Sequence, residues 1–200
     1  MTTRETPVLL LHGYWHGAWC WSEVLARLTA AGTRALAVDM AGHGLRARRP
    51  AAPTARPFDA AALAAEPSPA VEDLDEAAAL FVAQARALGG GAPVTAVAHS
   101  MGGNVLTRAV QDAPDLFANA VYVTAFMPGS GVPAAAYIFA PENEGDQVQA
   151  AIVADPAAIG GLRLDTASPD PSYHQLLRDA FYGDISTDVA EEGVPQQLAI

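Results

Sequence analysis

Ser100 sits in the run His99-Ser100-Met101-Gly102-Gly103, directly after the apolar stretch Val94-Thr95-Ala96-Val97-Ala98. The stretch before it reads as a strand. Val105, Leu106, Ala109 and Val110 after it recur at helical spacing. A serine on a tight turn between strand and helix stands with its hydroxyl above the sheet, the arrangement of a nucleophile elbow. Crowding of the two backbones there demands small neighbours. Gly102 and Gly103 meet that demand, and Ala98 holds the place where the pattern G-x-S-x-G has its first glycine. The plainer reading is a serine that only starts a helix; the strand, the helix and the glycines together favour the nucleophile. A serine hydroxyl attacks a carbonyl only when a base removes its proton. The reaction also needs donors for the developing oxyanion. Two backbone N–H groups fit: Met101, next after the nucleophile, and Tyr14, in the loop His12-Gly13-Tyr14 that follows the first strand. Alone, His12-Gly13 reads as a simple turn; beside the elbow it reads as an oxyanion loop.

The elements that must hold these residues follow from hydrophobic pattern. Val8 to Leu11, Ala35 to Val38, Val94 to Ala98 and Ala120 to Ala125 are short apolar runs, the mark of buried parallel strands. Between the first two lies a helix with Val24, Leu25 and Leu28 on one face, Ser22 as its cap and Gly32 as its end. Leu74, Ala77, Phe81, Val82, Ala85 and Leu88 define a longer helix running from Val71 to Gly89-Gly90-Gly91. Asp39 closes the second strand and caps the turn containing Gly42-His43-Gly44. Leu45 to Ala70 has no clear period and reads as a surface loop or an excursion over the sheet. From Pro128 onward only short helical pieces are predicted, including one through Phe181 with Ser172 and Gln175 as a capping box. Strand–helix alternation makes this an α/β fold with a parallel sheet, in one domain over 1–200: a core at 7–128 and a helical lid at about 129–190. Ligands in such sheets bind beyond the carboxyl ends of the strands.

Composition narrows the function classes. The net charge is −11, with 22 acidic residues against 11 basic ones, all arginine. That balance argues against nucleic acid and against anionic membrane surfaces as partners. Arg46, Arg48 and Arg49 form the only basic cluster and read as a solvated loop. Cys20 is the single cysteine, so no internal disulfide forms. No signal-peptide core or membrane span is visible, and a soluble cytoplasmic protein is expected. No His/Cys/carboxylate spacing suggests a metal, and no cofactor is expected.

The stretch His12-Gly13-Tyr14-Trp15-His16-Gly17-Ala18-Trp19, with His99 to Gly103 and Gly42-His43-Gly44, resembles the plant methylesterase and hydroxynitrile lyase group of α/β-hydrolases and its bacterial relatives. The likeness runs from about Val8 to about Tyr182. It implies an α/β-hydrolase fold and a small-molecule ester substrate. The lyases of the group carry threonine where this chain has Gly13 and use a late lysine; with Gly13 and no lysine, the esterase side is implied. Gly13, Trp15, Tyr137 and Phe139 are candidate pocket residues. Trp15 alternatively packs the loop, as His16 and Trp19 do. Tyr137, Phe139, Tyr173, Phe181 and Tyr182 alternatively pack the lid. The fold's order is serine, acid, histidine along the chain. His174 is the only histidine after Ser100, and its place in the lid reads against a role as base; Asp184 and Asp188 come after it, in the wrong order. Two late βα units of ~30 residues each are therefore expected to be absent. Ala120 to Ala125 would then become an open, uncharged edge. The alternative function is a binding protein or inactive fragment that keeps the fold without turnover. Oligomeric state is not indicated.

Overall fold

The structure, a computed structural model, describes residues 6–70 and 72–186. In chain order the elements are β1 (Val8–Leu11), α1 (Ser22–Ala30), β2 (Ala35–Val38), α2 (Ala60–Ala65), α3 (Leu74–Gly89), β3 (Val94–His99), α4 (Gly102–Asp112) and β4 (Phe117–Val123). Short helices α5 (Ala135–Ile138), α6 (Gln147–Ala151) and α7 (Pro156–Ile159) follow, then α8 (Pro171–Tyr182). The chain divides into two compact units, Met1–Ala47 with Glu72–Ala136, and Arg48–Val71 with Tyr137–Ile200.

In the first unit four parallel strands lie in the order β2-β1-β3-β4. This is the parallel sheet that the strand–helix alternation predicts. Strand pairing places Leu9, Leu11, Val38, Ala96 and Ala98 on one face, where Phe81 and Ala85 of α3 and Val105, Leu106 and Ala109 of α4 cover them. The capping box of α3 is formed by Asp73 and Glu76, and Gly90 ends the helix at φ +58°. The opposite face is less protected. Leu10 is buried on it, but Val121 and Val123 are each 41% exposed. No residue of α1 is fully buried, and Val24, expected on its apolar face, is exposed.

Several local expectations are corrected. Ser22 is the first residue of α1 rather than its cap; its hydroxyl donates to the Trp19 carbonyl (2.6 Å), because a 3-10 turn at Ala18–Trp21 already leads into the helix. The fourth strand starts at Phe117 and ends at Val123, since Thr124 takes φ +39° and cannot continue a strand. The cap of α8 is Asp170, whose carboxylate accepts from the Ser172 amide (2.8 Å), with Pro171 at the first helical position.

In the second unit α2 is a helix that the sequence period did not reveal. Its Ala-rich run has no apolar stripe, yet Asp59 caps it by accepting from Ala61 and Ala62. Arg163, 7% exposed, donates to the Leu63 carbonyl (2.7 Å) and the Glu66 carbonyl (2.5 Å) and so binds the 48–70 segment to the later helices. The Tyr173 hydroxyl donates to the Ala151 carbonyl (2.5 Å) and ties α8 to α6.

β4 has no strand on its outer side among the described residues. A β-prone, uncharged edge with exposed valines templates pairing with another chain. The 200-residue chain should therefore self-associate with rising concentration in size-exclusion chromatography. Val123→Lys should shift it toward monomer while changing unfolding free energy by less than about 0.5 kcal/mol, as for an ordinary surface substitution. Equal association by the variant would locate the sticky surface elsewhere.

Candidate active site

The carboxyl ends of β1, β3 and β4 each carry one non-glycine residue in the left-handed region: Trp15 at φ +57°, Ser100 at φ +50° and Thr124 at φ +39°. Such conformations cost roughly 1–3 kcal/mol each and persist only where surroundings enforce them. At Ser100 the enforcement is visible. Its carbonyl accepts from the Gly103 amide and from the Phe126 amide, both at 3.0 Å. The second of these bonds holds the loop after β4 against the turn after β3.

Backbone proximity explains the glycines. A Cβ at Gly13 would stand 2.6 Å from the Cβ of Ser100, and one at Gly102 would stand 2.6 Å from the His12 carbonyl oxygen. A Cβ at Gly103 would run into the Phe126 carbonyl. Ala98 is fully buried beside Leu11, so the place of the first glycine of the elbow pattern has room for one methyl group. Ser100 and Met101 are half-buried, as are Tyr14 and Trp15.

The loop after β1 is anchored on several sides. Asp39 Oδ1 accepts from the Ala18 amide (2.7 Å) and its Oδ2 accepts from the Leu45 amide (3.1 Å). Asp39 thus caps the turn after β2, as its position implied, and also reaches back to the β1 loop. His12 is completely buried, with Nδ1 2.8 Å from the Gly13 carbonyl and Nε2 3.1 Å from the Met40 amide. Nδ1 of His16 is 2.7 Å from the Tyr14 carbonyl, and its ring lies 5.2 Å from that of Trp19. The Tyr14 and Trp15 rings are 5.4 Å apart. His43 keeps to its turn, Nδ1 2.9 Å from the Ala41 carbonyl. The anchoring role of His12 was not legible in advance, because a histidine before a glycine announces a turn and not its partners.

Burial dominates the titration of these groups. It pushes His12 down to about 4, against the favourable Gly13 carbonyl bond. It also lowers His16 and His99, and raises the Tyr14 phenol. Burial pushes the Cys20 thiol up to about 12, which leaves it a poor nucleophile.

The first unit brings Gly13, Tyr14, Trp15, Ser100 and Met101 onto neighbouring loops at one end of the sheet. Tyr137 and Phe139 belong to the second unit, where both are exposed; the Tyr137 carbonyl accepts from Asn143 (2.5 Å). His174 also lies in the second unit, on α8, with Nε2 2.6 Å from the Ser168 carbonyl. Asp184 follows that helix, and Asp188 lies outside the described residues. No described side chain makes a hydrogen bond to the Ser100 hydroxyl. Among the described residues no cluster of three or more His, Cys, Asp or Glu could hold a metal, and no helix is long and apolar enough to cross a membrane.

A family model described as the alpha/beta hydrolase family matches residues 8–198. Probable esterase PIR7A of Oryza sativa is 37% identical over 123 residues, covering 62% of this chain and 40% of that protein. Methyl jasmonate esterase 1 of Vitis vinifera is 33% identical over 129 residues, covering 64% of this chain and 42% of that protein. The chain thus spans about two fifths of the length of the curated relatives it matches. Among solved structures, the pyrethroid hydrolase variant PytH_H230A superposes with a TM-score of 0.66 at 23% identity, over 90% of this chain and 62% of that one. An extracellular α/β-hydrolase from a Paenibacillus species superposes with a TM-score of 0.60 at 20% identity, over 97% of this chain and 66% of that one.

The buried histidines give a signed pH prediction. A histidine whose folded-state value is depressed binds fewer protons folded than unfolded. Its contribution to stability is present above the unfolded value of 6.5 and is lost as pH falls toward the folded value, about 4 for His12. Between about pH 7 and about pH 5, loss of about 2 kcal/mol is expected from His12 alone. His16 and His99 act in the same direction. Denaturant unfolding at the two pH values measures it, and a flat profile would show that these rings are not held neutral.

Proposed function

Since the chain belongs to the α/β hydrolase family, we propose that it provides the nucleophile and oxyanion site of a serine hydrolase acting on small carboxylic esters. The observation that carries this reading is the strained Ser100 turn between β3 and α4, with the Gly13 backbone packed against the serine Cβ. Ser100 Oγ adds to the ester carbonyl, and its proton goes to a base that the described residues do not supply. The Tyr14 and Met101 N–H groups hold the oxyanion of the tetrahedral intermediate. That intermediate collapses, the alcohol leaves with a proton, and water then releases the acid from the acyl-enzyme. Backbone donors suit this chemistry because they need no reorganisation as charge develops.

Esters are favoured over cyanohydrins by one feature of the chain. Gly13 leaves no space for a larger side chain beside Ser100. The naming of relatives as esterases supports the same choice. Trp15, next to the oxyanion donor, is the pocket residue of the first unit. A second reading is a binding protein or inactive fragment that keeps the fold without turnover; His174, the only histidine of this sequence after Ser100, lies on α8 in the second unit.

The test uses the protein as its host makes it, with whatever accompanies this segment. A fluorophosphonate probe should label Ser100, and Ser100→Ala should abolish labelling and reduce ester turnover at least about 10³-fold. Labelling that survives the substitution would sink the nucleophile assignment. Retained ester binding with neither labelling nor turnover would establish the binding-protein reading. Short p-nitrophenyl esters should be hydrolysed without comparable cyanide release from cyanohydrins; comparable release would reverse the ester preference.

A further inference from the structure

We infer that His12 is a positioning residue: its neutral ring, protonated on Nδ1, sets the plane of the Gly13–Tyr14 peptide and so aims the Tyr14 N–H. The inference rests on the serine-hydrolase reading above and deepens it.

The protonation state follows from the two partners of the ring. The Gly13 carbonyl, 2.8 Å from Nδ1, has no proton to give, so Nδ1 carries one and donates it. The Met40 amide, 3.1 Å from Nε2, can only donate, so Nε2 is an unprotonated acceptor. Neither the other tautomer nor the charged ring satisfies both contacts. Each would set an N–H against the Met40 N–H inside a site with no exposure.

The consequence for catalysis comes from peptide planarity. The Gly13 C=O and the Tyr14 N–H belong to one planar trans unit and point in opposite directions. Holding the carbonyl toward the His12 ring therefore holds the N–H toward the other side of the loop. The residue that begins this peptide, Gly13, abuts Ser100. The next peptide is held in the same way, by His16 Nδ1 at 2.7 Å from the Tyr14 carbonyl. The Met40 bond anchors the ring to the end of β2, so the loop takes its orientation from the sheet. Burial favours the neutral ring, His43 and His16 oppose its charge, and Asp39 favours it.

A buried histidine that only filled space would share the burial but not the tautomer or the effect on chemistry. Two measurements separate these cases. In the 200-residue chain, ring nitrogen chemical shifts at neutral pH should show His12 protonated on Nδ1 and bare on Nε2. The opposite tautomer or a charged ring overturns the inference, whether or not Ser100 is a nucleophile. In the host-made protein, His12→Leu should slow fluorophosphonate labelling and ester kcat by about 10- to 100-fold, with KM changed less than about twofold. His12→Gln, which offers a donor and an acceptor at similar reach, should recover most of the rate. Unchanged labelling in His12→Leu, or a raised KM at constant kcat, overturns the positioning role. If His12→Leu does not fold, the ring tautomer and the His12→Gln rates decide. Failure of the wild-type protein to label at Ser100 would instead count against the serine reading, leaving the tautomer to decide what His12 does.

Discussion

Backbone contact between the loop after β1 and the turn after β3 is the constraint on which the first unit is built. A side chain at Gly13 would meet Ser100 and a side chain at Gly102 would meet the His12 carbonyl, so the two segments touch without side chains between them. Such contact requires β1 and β3 to be adjacent, parallel and in register at their carboxyl ends, and they are paired from Val8 with Thr95 to Leu11 with Ala98. It also requires α4 to start at once, since Gly102 and Gly103 are both within the approach zone and both already helical. The order β2-β1-β3-β4 then places the ends of β2 and β4 on either side of the contact. From one side Asp39 and Met40 reach the β1 loop; from the other Phe126 reaches the Ser100 carbonyl.

Strain and anchoring balance at the same end of the sheet. Trp15, Ser100 and Thr124 hold conformations that a free chain would leave, and Thr124 is β-branched, for which the left-handed region is least accessible. Such strain must be offset by the covered face of the sheet and by hydrogen bonds fixed to regular structure. The bonds to Ser100, Ala18 and Gly13 are of that kind. Under the serine-hydrolase reading proposed above, a turn held this way would present its hydroxyl without reorganisation.

The sequence was most informative where chemistry and geometry coincide. Ser100 with two glycines after it announces a crowded strand–helix turn, because few other circumstances require both. The four strands were legible as short apolar runs, and α3 as a stripe of six residues ending in glycines. What stayed hidden depended on partners remote in sequence. Ser22 looked like a cap until the preceding turn at Ala18–Trp21 supplied the lead into α1. The end of β4 was overrun, since the uncharged Thr124-Ala125 extends the apolar run while the bond from Phe126 to Ser100 bends the chain away. His12 was legible as part of a loop signature but not as an anchor, since its second partner lies 28 residues away.

The histidines of the first unit differ in what their ring nitrogens are engaged with. A base for Ser100 needs a ring nitrogen with a free lone pair at the serine hydroxyl. His12 has none to offer, because Nε2 is occupied by the Met40 amide and Nδ1 carries the proton given to Gly13. His16 and His43 each have Nδ1 beside a loop carbonyl. His99 precedes the serine, with Nδ1 beside Gly13, and makes no hydrogen bond to the hydroxyl. Three of these rings are lowered by burial, which suits neutral structural histidines better than a proton carrier that must charge and discharge near neutral pH. His12 and His16 each hold a carbonyl of the loop after β1.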